Sequence, residues 1–366
     1  MPALDMQTLL REMVSRGASD LHIKVGISPV YRVNGKLEQV MDARVDAETM
    51  DRFLSDIMNR EQMERFEKNK EVDFAVGARN MGRFRVNVFR QRGSVAMVIR
   101  HIKAEIPSFA ELKLPDVILD LSLKERGLIL VTGTTGSGKS TCLAAMIDHI
   151  NQHTTKHVIT IEDPIEFLHK DKNSIITQRE LGVDTLSYAN ALRAALRQDP
   201  DVLLVGEIRD LETMQIALTA ADTGHMVFAT IHTTSASETI TRVLSMYPPH
   251  QHEEVRLMLS DCLVGIISMR LLPLKGNQGR VPAVEILVNT AAIHEYILDR
   301  DKQNLIVQAI AEGNKQYGSQ TFDQSIFRLY NDGLIEYDTA YKAATNPDDL
   351  DLKIRGIEGT SDRSWM

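Results

Sequence analysis

The stretch "VTGTTGSGKST" at 131–141 limits what this chain can fold into more than any other. An apolar run, "LILVT" at 128–132, leads into it, and "STCLAAMIDHI" leads out with the apolar spacing of a helix. Between them Gly133, Gly138, Lys139 and Ser140 satisfy the spacing G-x-x-x-x-G-K-[ST]. Glycines let successive backbone N–H groups turn inward and form an anion nest, and the helix N-terminus adds partial positive charge. Lys139 brings a mobile point charge for the β- and γ-phosphates, and the Ser140 hydroxyl is suited to Mg²⁺. The alternative is a glycine-rich turn that binds nothing, but strand, loop and helix all stand where the motif needs them. The loop is therefore expected to hold a nucleoside triphosphate, with Thr134, Thr135, Gly136, Ser137 and Thr141 completing the cradle.

Such a loop needs a parallel sheet around it. Short apolar runs at 128–132, 157–161, 201–205 and 226–231 alternate with helical stretches, the pattern of strands buried on both faces. The expected fold class is α/β: a P-loop ATPase domain over 117–357, mostly helical after "VPAVEILV" (281–288), preceded by a smaller α+β domain over 1–102. In the smaller domain Met6, Leu9, Leu10 and Met13 share one helix face, and "SDLHIKV" alternates as a half-buried strand. Asn34-Gly35 marks a hairpin, 47–68 reads as helical, and 71–102 reads as three strands. Two prolines and a lost strand pattern put the linker at 103–116, and the polar residues 358–366 read as a disordered tail.

Hydrolysis also needs acidic groups. "ITIEDPIEF" puts Glu162, Asp163 and Glu166 just past the carboxyl end of a strand, where doubly wound sheets place ligands; otherwise this is a solvated acidic turn. "DPDVLLVGEIRD" runs a strongly apolar strand into Glu207, with Gly206 where an aspartate usually precedes the glutamate of a Walker B strand. Glu207 is thus a candidate for organising Mg²⁺ or activating water. In "TGHMVFATIHTTSASE" His225 precedes a strand and His232 ends it, which favours His232 on geometry; a structural histidine is the alternative for both. In "GRFRVNVFRQRG" Arg83 and Arg85 share one strand face and are candidates to stabilise charge on a nucleotide bound by the next domain or subunit, unless they only line a solvated face.

"GTTGSGKST", "EDPIEF", "GEIRD" and "TGHMVFATIHTTSASETITRV", in that order, resemble the landmarks of the secretion ATPase superfamily, and most closely its type IV pilus retraction ATPases (PilT/PilU-like). The likeness covers nearly the whole chain, including "GASDLHIKVG" near the start. It implies a PAS-like N-terminal domain joined to a RecA-like ATPase domain, ATP and Mg²⁺ as cofactors, and a homohexameric ring. It also implies Glu166 as general base, Glu207 as Walker B glutamate, His225 and His232 as His-box residues, and trans-acting arginines. The implied function is pilus retraction in twitching motility, with an inner-membrane platform protein as partner, the pilin fibre engaged indirectly, and a paralogous retraction ATPase as a further partner. The chain begins at the PAS-like module and lacks a four-cysteine zinc motif, which favours retraction over pilus assembly or type II secretion. Where the family often reads "AIRNLIRE", this chain reads "AIHEYILD" (292–299), so an accessory subunit that modulates a motor ring stays open beside the main motor.

A net charge of −8 argues against nucleic acid as the main partner. Two cysteines without a CxxC pair, and no apolar run of spanning length, lead to the expectation of a cytoplasmic protein with at most peripheral membrane contact. The family resemblance implies that this contact is with the inner membrane at the pilus base.

Overall fold

The computed structural model describes residues 4–33, 35–39, 43–78, 81–102, 105–277 and 279–357. The proposed tail at 358–366 and Asn34 of the hairpin lie outside these. The chain divides into two compact units, residues 1–105 with 166–168, and residues 106–165 with 169–366.

The first unit is a six-stranded antiparallel sheet in the order β3-β2-β1-β6-β5-β4. Its strands are β1 (Asp20–Lys24), β2 (Val30–Val33), β3 (Lys36–Gln39), β4 (Glu71–Ala78), β5 (Gly82–Gln91) and β6 (Ser94–Ile102). β2 and β3 form the hairpin expected at Asn34-Gly35, with Gly35 at φ 81°. Alternation sorts the two sheet faces. Leu21, Ile23, Phe84, Val86, Val88, Met97 and Ile99 are buried in one core with helices Met6–Ser15, Ala47–Ile57 and Arg60–Asn69. All four apolar residues read from the first helix, Met6, Leu9, Leu10 and Met13, are buried there.

The second unit is a seven-stranded sheet in the order β13-β12-β7-β11-β10-β8-β9. Its strands are β7 (Gly127–Thr132), β8 (His157–Glu162), β9 (Ile175–Glu180), β10 (Val202–Val205), β11 (Met226–Ile231), β12 (Leu263–Pro273) and β13 (Arg280–Val288). All neighbours pair in parallel except β12 with β13. The apolar runs lack alternation because both faces are covered. On β7, Leu128 and Leu130 enter one core while Ile129 and Val131 enter the other. Leu114, between Pro107 and Pro115 of the proposed linker, is buried in the second of these cores, so 106–116 packs as part of this unit. Among the described residues no helix is long and apolar enough to cross a membrane.

Candidate active site at the carboxyl end of the parallel sheet

β7 runs straight into the glycine-rich loop, and helix Lys139–His153 leaves it. Gly133, Gly136 and Gly138 take φ values of 140°, 77° and 99°, which other residues rarely adopt. A Cβ on Gly133 would lie 2.5 Å from Ser137 Oγ and 2.6 Å from the Met269 carbonyl, so only glycine closes this turn. The Lys139 ammonium donates to the Gly133 and Thr134 carbonyls at 2.8 and 3.0 Å, and the residue is buried. Helices Tyr188–Ala195, Leu211–Asp222 and Ala236–Ser245 are capped by their own Ser187, Asp210 and Ser235 side chains. The helix after the loop has Gly138 at its N-cap and no side-chain cap, so its first amides remain open to an anion. Ser137 Oγ is buried and makes no hydrogen bond within the chain. Open amides, a buried lysine and an unsatisfied hydroxyl fit a polyphosphate.

Glu207 follows β10 and meets an arginine and a histidine. Arg209 Nη2 lies 2.6 Å from Glu207 Oε2, and His232 Nε2 lies 3.2 Å from Oε1. The Arg209 guanidinium first, then His232, holds the Glu207 carboxyl below its usual range against the opposing effect of burial. Arg209 also reaches Asp163 Oδ2 at 4.0 Å, so the acidic turn after β8 and the end of β10 share one arginine. Glu162 accepts from Thr160 Oγ1 at 2.6 Å and Gln178 Nε2 at 3.1 Å, which anchors the turn to β9. Gly206 answers the missing aspartate: a Cβ there would lie 3.1 Å from each of Glu162 Cα, the Ile161 carbonyl and the Tyr188 hydroxyl.

The structure gathers the loop residues Gly133–Thr141 with Glu162, Asp163, Glu207 and His232 at the carboxyl ends of neighbouring strands. It does not bring His225 there. β7 and β11 run parallel with Met226 opposite Gly127 and Ile231 opposite Thr132, so His225 sits at the amino end. There its Nδ1 lies 3.0 Å from the Ala220 carbonyl at the end of a helix, which takes it out of the loop's surroundings within one chain. Exposed Glu166 belongs to the short segment 166–168 grouped with the first unit, as do Arg83 and Arg85. Arg85 is held by Asp73, with Nη2 at 2.5 Å and Nε at 3.0 Å from Oδ2. Sequence reasoning passed over Arg209, although the quoted "GEIRD" contains it.

A cavity of about 300 Å³ adjoins the loop's exit, lined by Gly138, Thr141 and Cys142 with Leu112, Leu114 and Met269 among its apolar walls. Arg280 and Glu111 supply its charged lining.

A family model described as "Type II/IV secretion system protein" matches residues 3–328. The type IV pilus ATPase PilU of Pseudomonas aeruginosa is 40% identical over 98% of this chain and 94% of its own length. The type IV pilus retraction ATPase PilT of the same organism is 43% identical over 95% of this chain and 100% of its own. A crystal structure of the pilus retraction motor PilT with bound ADP superposes with a TM-score of 0.88 at 47% identity, covering 95% of this chain and 99% of that one. The fold of both units and the open phosphate loop agree with these likenesses, and the chain is a member of the type II/IV secretion ATPases, in their PilT/PilU-like retraction branch.

Proposed function

We propose that this chain is an ATP-hydrolysing ring motor, six copies strong, that draws a type IV pilus back through an inner-membrane platform protein. The observation that carries the reading is the phosphate loop: three glycines at positive φ, a buried lysine and an uncapped helix N-terminus. ATP is read with its phosphates on Gly133–Thr141 and its base in the neighbouring apolar cavity. The donor set suits Mg²⁺, which accepts a hydroxyl, phosphate oxygens and water: Ser140 would ligate it directly and Glu207 through water. When bound, that ion neutralises charge developing on the phosphates. Lys139 binds and orients them, Arg209 and His232 keep Glu207 ionised, and Glu166 takes the proton of the attacking water.

Glu166→Gln tests the last assignment, because the isostere keeps packing and loses the base. We expect ATP binding to persist while kcat falls by about 10²–10⁴-fold, the usual scale of a general base. A Glu166→Gln protein within twofold of wild type in steady-state turnover would transfer the role to Glu207.

One observation favours an accessory role in a mixed ring. On helix Ala291–Leu298, His294 Nε2 pairs with Asp261 at 2.9 Å and Leu298 is 37% exposed, where the retraction family places arginines. Turnover by the pure protein at a rate sufficient for a motor would set that reading aside.

A further inference from the structure

Three strands form one buried row beside the phosphate loop. Thr132, the residue before Gly133, lies opposite Ser268 of β12, and Ser268 lies opposite Glu285 of β13. Register partners on adjacent strands point to the same face. Thr132 Oγ1 donates to Ser268 Oγ at 2.8 Å, and all three residues are buried. Glu285 stands alone as a carboxylate within the apolar run "VPAVEILV", and burial pushes its carboxyl up. A buried carboxylate is expensive unless it is bound.

Its partner is a backbone amide. Glu285 Oε1 accepts from the Ala236 N–H at 2.7 Å. Ala236 opens the helix that follows His232, with only Thr233, Thr234 and Ser235 between. That short connection is closed at other points as well. Glu238 accepts from the Thr234 amide at 2.7 Å, and Thr233 and Thr239 hydroxyls meet at 2.7 Å in the interior. Glu285 is the group that ties this turn to the strand row running into Gly133.

We propose that Glu285 is a positioning residue: through the Ala236 amide it fixes the turn that carries His232, and so sets the His232–Glu207 contact relative to the phosphate loop. This rests on the reading of Glu207 and His232 as parts of the ATPase centre. Reach matters here more than charge, since a carboxamide oxygen accepts from the same N–H while a carboxylate one methylene shorter does not span the gap.

Glu285→Asp and Glu285→Gln in the full chain separate the two. Glu285→Gln keeps kcat within about threefold of wild type. Glu285→Asp lowers kcat about tenfold, the scale of one lost buried hydrogen bond, with KM for ATP nearly unchanged because the loop is intact. In a double-mutant cycle, Glu285→Asp adds nothing to His232→Ala if it acts through that histidine. Additive losses, a faster Glu285→Asp than Glu285→Gln, or a Glu285→Asp chain that no longer folds would each overturn the positioning role. Deuterium exchange over 230–240 supplies a readout free of turnover: Glu285→Asp deprotects the Ala236 amide and Glu285→Gln does not. Equal protection in both overturns the anchor itself, whereas a wild-type chain without ATPase activity would overturn only the reading of the site.

Discussion

Gly206 occupies the position at which a Walker B strand usually carries an aspartate, and packing accounts for it. Two of the three atoms that a Cβ would meet at 3.1 Å are backbone, Glu162 Cα and the Ile161 carbonyl, so neither can swing aside. The close approach brings the turn bearing Glu162 and Asp163 against the end of β10, where Arg209 serves both Glu207 and Asp163. Gly206→Ala is therefore expected to cost about 1–3 kcal/mol through overpacking. At roughly 2–4 °C per kcal/mol for a unit of this size, its melting temperature should fall by about 2–12 °C. Adding Tyr188→Phe should recover little, because the backbone contacts remain. A Gly206→Ala chain that melts with wild type would remove this explanation.

Strands were legible in the sequence wherever both faces or one face imposed a clear pattern. The runs at 128–132, 157–161, 201–205 and 226–231 became β7, β8, β10 and β11. The other three strands of that sheet, β9, β12 and β13, were not read as strands, and two of them carried no strand signal. β9, "IITQRE", is an edge strand of mixed polarity, with Ile175 62% exposed, and offers neither alternation nor a buried run. β12 begins at Leu263 directly after a helix ending at Cys262, so no turn signal separates its apolar residues from the helix. In the first unit β5 was readable because Phe84, Val86 and Val88 alternate with polar neighbours. Phe84 is fully buried and its ring centroid lies 5.1 Å from that of His101. Phe84→Ala should cost about 3–5 kcal/mol as a transfer and cavity loss. With about 4–8 °C per kcal/mol for a unit near 100 residues, the first unit should melt more than about 10 °C lower in circular dichroism or limited proteolysis. A smaller change would mean that the sheet closes around the lost ring.

At the scale of the whole molecule, the phosphate loop was fully legible and the surrounding chemistry only in part. The loop is a contiguous motif whose spacing carries its geometry. Glu285 and Ser268 meet Ala236 and Thr132 from far along the chain, which no local pattern reports, whereas Arg209 stands only two residues from Glu207 and was passed over inside a quoted motif. Glu166, Arg83 and Arg85 fall in the first unit, while Lys139, Glu207 and His232 fall in the second. A ring of head-to-tail contacts offers each nucleotide groups from a neighbouring copy. Arg85 is already bound by Asp73 in a bidentate pair, half exposed on both sides, and exposed pairs of this kind hold by about 1 kcal/mol or less. Exchange of Asp73 for a neighbour's phosphate is therefore energetically open. We expect Arg85→Ala to lose most activity despite its intact loop, since a trans arginine contributes about 10³-fold or more in other phosphoryl-transfer systems. Mixed with Lys139→Ala, which is inactive alone, it should regain measurable turnover, because some neighbours then pair an intact arginine with an intact loop. Coupled-assay rates across the mixing ratio decide the matter. An Arg85→Ala protein near wild type would leave these arginines as a solvated strand face, and an inactive mixture would place them in cis.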